Sequence, residues 1–460
     1  MTSYPGCQFF LPLSEAVSIP LDQLNLVISL FSALPIAVLF KHFCSRSKCS
    51  SKTRHLVSIL GGFAILLFMI GLRQTTQLFC ITTIIFAIIT LPMFKQISHH
   101  LTLAFSMSVL ASAHITRLFS GLETDNIDWT IPFLIFVQKF TGIAYSLQDG
   151  RTEKYENLPE KGYRKQYAVR KPPTALEFYS YIFNFYGVFA GPNSFFVDFI
   201  DFIENRQEKV TNTKMVIGKC FAGVLFIILS EIGMKLLPAS LMSDASQVSE
   251  FSFGYILLYS VGCIYPIRFK FYFFWLLADS INNAAGFGYN NSTKTWDLLS
   301  NIKPLELETC DNVKTWTRFW NIQTAKWLRL VVFERSSKTY RNQLTYLLSV
   351  VWHGFFPGYY VLFILGYFTT EAHKKVNKFL TPWFDKNYPR LYKLLCVLTL
   401  HVVVSYGVLN HVSLTFERVL IYNKHCFGYG YLIIFAGLMI PWKSFVPQVK
   451  LETEEKEKSK

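Results

Sequence analysis

The sequence has no CxxC pair, no Cys/His cluster at metal-ligand spacing, no obvious internal repeat and no linker long enough to separate two domains. Its nine cysteines are scattered, and the nearest two, Cys44 and Cys49, sit in a basic loop, so no metal site is expected. The first residues, MTSYPGCQFFLPLSEA, lack a basic stretch followed by a compact apolar one, so no cleavable leader is expected. Charge is scarce at 16% of residues, and acid is scarcer than base, 30 against 45, leaving a net charge of +15. Residues 1–450 therefore read as one domain, followed by a charged tail at 451–460.

What is abundant is apolar surface. Hydrophobic residues make up 51% of the 460, with 44 Phe and 24 Tyr, and the mean hydropathy is +0.29. A helix needs about 20 consecutive apolar residues to cross a bilayer's hydrocarbon. Stretches near 21–40, 55–72, 76–94, 100–120, 130–147, 176–190, 216–237, 251–278, 345–368, 391–409 and 429–442 meet or approach that length. The expected fold is an all-α polytopic membrane protein with about eleven spans, some of them re-entrant. The basic residues fall mostly in the loops between these stretches. That distribution fits membrane lipid headgroups and cytosolic loops, not a nucleic-acid footprint.

Loop charge also gives an orientation. The 41–54 loop carries Lys41, Arg46, Lys48, Lys52 and Arg54 with no acid, which predicts a cytosolic position. Residues 121–129 carry Glu123, Asp125 and Asp128 with no base and fit the opposite side; the 148–173 loop, with seven Lys/Arg against four acids, returns to the cytosol. The amino terminus is then lumenal. At the other end, Lys456 and Lys458 stand five and three places from the carboxyl terminus, which resembles a K-x-K-x-x signal for return to the endoplasmic reticulum membrane. The same run of Glu and Lys also reads as a plain solvated tail.

Titratable residues inside apolar segments are expensive and by default mark function. The clearest is His353, in LTYLLSVVWHGFFPGYYVLFILG at 344–366. Helical spacing puts Ser349, Trp352, His353 and Phe356 on one face. Pro357 follows His353 by four residues, where a proline ring clashes with the preceding turn, so a kink is expected at the histidine. A neutral imidazole, with an unperturbed pKa of about 6.5, suits a general base; a hydrogen-bonded structural histidine is the alternative. His114 and His401 also lie in apolar runs and read as structural.

The stretch 313–335, VKTWTRFWNIQTAKWLRLVVFER, repeats Trp316, Phe319, Trp320, Gln323, Trp327 and Leu330 at helical spacing among basic residues. It reads as one helix lying at the headgroup boundary. Within it, the amide of Asn321 can both donate and accept. A third stretch passes through Gly191-Pro192 into an amphipathic helix, with Asp198, Asp201 and Glu204 on a solvated face and Phe195, Phe199 and Ile203 opposite.

Taken together, WNIQTAKWLR at 320–329, LLSVVWHGFFPGYY at 347–360, FNFYGVFAGPNSF at 183–195, YSLQDG at 145–150 and RFKFYFFWLLADSINNAAGFGYN at 268–290 resemble the membrane-bound O-acyltransferase superfamily. Within it they look like the lysophospholipid acyltransferase branch. The resemblance implies a many-helix bundle around an intramembrane tunnel, acyl-CoA as co-substrate with no bound cofactor, and a lysophospholipid acceptor with a choline, ethanolamine or serine headgroup. It maps the family's signature histidine and asparagine onto His353 and Asn321. The flanking Trp320 and Trp352, together with Tyr359 and Tyr360, become candidates for contact with substrate, and Lys326, Arg329 and Arg335 for contact with CoA phosphates or for membrane anchoring. The sequence departs from many relatives at Gln148, which stands where they carry a histidine, so Asp149 reads as a structural helix-end residue. Acylation of a protein or a sterol, and lipid transport or scrambling without chemistry, are the competing readings.

Overall fold

A computed structural model describes residues 4–45, 48–120, 126–151, 155–188, 191–204 and 212–444. Glu123, Asp125, Arg46 and the 451–460 tail lie outside the described residues. Among the described residues the regular structure is helical, with one isolated antiparallel bridge between Asn290 and Thr295.

Among the described residues, seven helices are long and apolar enough to cross a membrane: Leu21–Phe43, Ser51–Thr90, Ser98–Ser120, Thr130–Arg151, Thr213–Leu236, Phe253–Ala285 and Pro389–Ser413. The apolar windows and the helices differ at five places, one of them 429–442, which yields only the 11-residue helix Tyr429–Met439. Windows 55–72 and 76–94 belong to one 40-residue helix, Ser51–Thr90, jointed at a left-handed Gly71. Window 176–190 yields only the nine-residue helix Ala175–Phe183, too short to span, after which the chain runs irregularly through buried Asn184–Tyr186 and a cis Gly191-Pro192 bond. The 251–278 stretch is interrupted at the single residue Cys263. Finally, 345–368 is two helices, Arg341–His353 and Pro357–Asn387, so the expected kink at His353 is a full break.

The chain forms two compact units. The first comprises Met1–Ile228, Lys270–Ile302 and Asn321–Phe355. Its centre is Thr130–Arg151, where Phe133, Phe136, Val137, Phe140 and Ala144 are wholly buried. Most polar residues of this helix are buried as well: Lys139 donates through Nζ to the carbonyl of Tyr181 at 2.9 Å and so closes the end of Ala175–Phe183. Irregular backbone can be buried at membrane depth only if side chains satisfy it, and here they do. Asn184 donates to the Tyr181 carbonyl, Asn282 to that of Tyr186 and Tyr181 to that of Ser194.

The second unit comprises Leu229–Phe269, Lys303–Trp320 and Phe356–Lys460. Pro357–Asn387 packs on Pro389–Ser413 and on Tyr429–Met439 around a cluster of Tyr406, Tyr422 and Tyr429. His401 has the structural role expected of it there: its Nε2 donates to the Glu308 carbonyl at 3.0 Å while the Glu308 carboxylate holds buried Arg268 at 2.5 Å.

Candidate active site

His353 is the last residue of its helix. The following Gly354 adopts φ 130° and ψ −165°, a conformation that a residue with a Cβ reaches only under strain. This turn, not a proline clash, stops the helix. Pro357 then occupies the first position of the next helix, where its missing N–H costs nothing.

The imidazole is half-buried, and its Nδ1 lies 2.7 Å from the carbonyl oxygen of Ser349, one turn back. A carbonyl only accepts, so Nδ1 carries the hydrogen and the neutral ring keeps its lone pair on Nε2. The helix end is tied twice more. His114 donates from Nε2 to the Trp352 carbonyl at 3.1 Å, and the Trp352 indole donates to the Leu134 carbonyl at 3.0 Å.

Asn321 lies where the 313–335 stretch breaks. The expected single helix is two, Val313–Phe319 and Ile322–Leu328, extended by a π-helical turn over Arg329–Phe333. Between them Asn321 is left-handed, at φ 49° and ψ 54°. The second piece packs into the protein interior, for Trp327 and Leu330 are fully buried and Gln323 nearly so. Asn321 occupies the N-cap position, yet its side chain does not cap. Asn301 does that work instead: its carbonyl accepts from the backbone N–H of Ile322 and its Oδ1 from that of Gln323, both at 2.9 Å. The Asn321 amide is thereby left available for other work.

Both pieces of the site hang on Thr130–Arg151. Gln138 donates to the Thr324 hydroxyl at 3.0 Å, and the Trp327 indole donates to Thr141 at 2.8 Å. Thr324 and Trp327 thus run in step with Gln138 and Thr141. Leu134, one turn before Gln138 on the same helix, anchors Trp352. The rings of Trp327 and Trp352 meet with centroids 6.0 Å apart. The two helices that begin after Asn321 and end at His353 are thus both tied to Thr130–Arg151.

The remaining residues singled out from sequence separate. Trp352, Lys326 and Arg329 belong to the first unit; Trp320, Tyr359 and Tyr360 belong to the second, where Trp320 stacks on Trp316 and Tyr359 on His411. The basic candidates all have partners within the chain. Lys326 donates to the Leu298 carbonyl at 3.3 Å, Arg329 pairs with Glu334 at 2.8 Å, and Arg335 joins Arg164 on the buried carboxylate of Asp149. The acidic face of Phe196–Ile203 is not fully solvated: Asp198 is half-buried. Burial lifts its carboxyl to about 7, with Lys326 pulling it down and Asp201 adding to the rise.

Asn301, His114, Gln138 and Thr141 were not identified from sequence as parts of this site. A signal for three of them was present, since Gln138 and Thr141 are polar residues within the apolar run 130–147 and His114 is a titratable one within 100–120. No comparable signal marks Asn301, whose role exists only because a loop returns to the start of another helix.

Comparison with known proteins identifies the family. The family model of MBOAT, the membrane-bound O-acyltransferase family, matches residues 123–412. The chain is 32% identical to membrane-bound glycerophospholipid O-acyltransferase 2 of Homo sapiens, over 96% of this chain and 89% of the relative. It is likewise 32% identical to membrane-bound glycerophospholipid O-acyltransferase 1 of Homo sapiens, over 96% of this chain and 93% of the relative. A lysophospholipid acyltransferase of Schizosaccharomyces pombe is 26% identical over 95% of this chain and 89% of the relative. The resemblance carried by the tryptophan-flanked histidine and asparagine is borne out, and the chain belongs to the membrane-bound O-acyltransferase family.

Proposed function

We propose that this enzyme esterifies the free glycerol hydroxyl of a lysophospholipid with an acyl group taken from acyl-CoA, and that His353 is its general base. The observation that carries the assignment is the hydrogen bond from His353 Nδ1 to the Ser349 carbonyl, which fixes the tautomer with the Nε2 lone pair in place. The relatives named for glycerophospholipid and lysophospholipid acyl transfer, alike over nearly the whole chain, support the substrate class.

The steps balance on these two residues. Nε2 takes the proton of the acceptor hydroxyl as that oxygen attacks the thioester carbonyl carbon. The Asn321 side-chain amide donates to the oxyanion as the carbonyl becomes tetrahedral. Collapse re-forms the carbonyl, breaks the carbon–sulfur bond and releases CoA thiolate, which recovers the proton from the imidazolium. The products are a diacyl phospholipid and CoA, without an acyl-enzyme. The half-buried setting of His353 limits competition by water, and the family's lipid chemistry agrees with a membrane location, which we assign to the endoplasmic reticulum.

The test uses microsomes carrying the wild type or His353→Ala, supplied with labelled oleoyl-CoA and lysophospholipids bearing choline, ethanolamine or serine. We expect label in a diacyl phospholipid with the wild type and a loss of about 10²–10⁴-fold in the variant, the range for general acid–base catalysis. A folded His353→Ala enzyme with wild-type turnover would remove the assignment. Label in no lipid at all would turn the reading toward protein or sterol acceptors.

A further inference from the structure

The basic side chains that sequence suggested for phosphate contact are all engaged within the chain. Arg54 is different. It lies in the first turn of Ser51–Thr90, a helix long enough to cross the membrane, and only 5% of it is exposed. Its guanidinium stands 5.8 Å from the ring centroid of Phe40 and 5.2 Å from that of Phe202. Those rings cover its faces, but they give its N–H groups no acceptor. Among the described residues no carboxylate pairs with Arg54 and no group accepts a hydrogen bond from it. Guanidinium does not shed its proton in a protein, so neutralisation cannot relieve the buried charge. A buried cation ordinarily has a partner.

The geometry says where that partner enters. The Nε atom of Arg54 is sealed from solvent and unbonded, while neither terminal nitrogen is sealed, so the outer edge of the fork is the side that opens. That edge presents two parallel donors, the arrangement that matches two oxygens of a phosphate. A second cation, Lys41, reaches the surroundings of the same Phe202 ring. The stem of Lys41 and the ring of Phe202 both lie 3.8 Å from the position that a Cβ on Gly286 would take, and Phe202 is the same ring that Arg54 covers. Lys41 Nζ is held at 2.7 Å by the Asn212 side chain. The loop joining the two cations, 41–54, contains no acidic residue.

We infer that Arg54, together with Lys41, is the cationic floor of a phosphate-binding site at the start of the Ser51–Thr90 helix, taking the phosphate of a lipid headgroup or of a nucleotide such as CoA. Arg54 supplies a bidentate contact and Phe40 and Phe202 hold its plane; Lys41 adds a point charge. The site uses neither His353 nor Asn321, and only its nucleotide form rests on the acyl-CoA reading above. It would orient a phosphate-bearing molecule without contributing to bond making.

Binding to the purified full-length protein in a maltoside detergent, which carries no phosphate, tests this. The probes are dioctanoyl phosphatidic acid, CoA, and dioctanoylglycerol as the phosphate-free control. We expect Arg54→Gln to weaken at least one phosphate-bearing probe by about tenfold and to leave dioctanoylglycerol unchanged, as loss of a bidentate charged contact predicts. Weakening of phosphatidic acid alone identifies a lipid headgroup, and weakening of CoA alone identifies the nucleotide. Arg54→Lys keeps the charge without the fork and should lose about threefold, and Lys41→Gln, at the rim, a similar amount. These two variants carry the test if Arg54→Gln does not fold. Wild-type affinity for both phosphate probes in every folded variant, equal weakening of all three probes, or no binding of either phosphate probe to the wild type would each overturn the inference. Because no turnover is read, failure here leaves the assignment of His353 untouched, and an inactive lipid assay leaves the phosphatidic acid arm standing.

Discussion

A histidine acts as a base only through the ring nitrogen that holds its lone pair, so the neighbour of the other nitrogen decides what the residue can do. At His353 that neighbour is a carbonyl one turn back on the same helix, which also restrains ring rotation. The Asn321 amide has the complementary property of being relieved of capping. Asn321→Ala should therefore lower kcat by about 10²–10³-fold, as loss of an oxyanion donor does. Its KM for either substrate should change little, which steady-state assays would read directly. Asp198 gives a prediction of another kind. Its carboxyl holds its proton up to about 7 in the folded chain, against about 3.9 for an unperturbed aspartate. Between those values the folded state binds more protons than the unfolded one, so stability falls as pH rises through the window. Thermal unfolding in detergent should show that fall in the wild type. Asp198→Asn should flatten it, and an unchanged slope would count against the buried setting of this carboxyl.

At the scale of elements, the site depends on two breaks, one after His353 and one before Ile322. The first rests on Gly354, whose conformation costs a residue with a side chain on the order of 1–3 kcal/mol. Gly354→Ala should therefore lower both thermal stability and turnover, whereas an equally active variant would mean the turn can re-form with ordinary dihedrals. The second rests on Asn301, whose side chain takes the Gln323 N–H that Asn321 would otherwise serve. Asn301→Ala leaves that buried donor without its partner, a loss of about 1–3 kcal/mol, and should draw the Asn321 amide back into capping. Turnover should then fall in an otherwise wild-type enzyme but hardly further in Asn321→Ala, while Asn301→Asp, which keeps the acceptor, should restore much of it. Additive losses would show that Asn301 acts on something other than Asn321.

The two breaks also show what sequence could and could not reveal. Hydropathy located the apolar stretches and the polar His353 inside one of them, because burial acts residue by residue. The hydrophobic rhythm of 313–335 runs on through Trp320 and Asn321, so the interruption leaves no trace in the period. An asparagine tolerates the left-handed conformation better than most residues, and that was the one local clue. Arg54 read as one more loop cation, because nothing in its neighbours announces that Phe40 and Phe202 will close over it.

For the whole molecule, the face of the membrane that the 286–302 loop occupies decides how acyl-CoA reaches Asn321. The chain passes between its two units five times, so neither is a contiguous segment, and we propose 1–450 as one catalytic body. Within the first unit that loop is the platform for Asn321. Asn301 caps its helix, Gln323 donates to the carbonyls of Leu298 and Ser300, and Lys326 also donates to Leu298. Lys219, in turn, ties the loop to Asp279 through the Trp296 carbonyl and the Asp279 carboxylate. The side on which the loop lies therefore reports the side from which Asn321 is approached. Acyl-CoA, with its several phosphate charges, does not cross a bilayer unaided, so an enzyme that uses cytosolic acyl-CoA needs this platform on the cytosolic face. The loop carries its own indicator, since Asn290-Asn291-Ser292-Thr293 contains two overlapping acceptor sequences for N-glycosylation, a lumenal modification. We expect no mobility shift on endoglycosidase treatment of the full chain expressed in eukaryotic cells, and the same mobility for an Asn290→Gln/Asn291→Gln variant. A shift abolished by that variant would put the platform in the lumen. Acyl-CoA would then have no direct route to Asn321 from the cytosol, and the proposed donor would have to be given up before the proposed base.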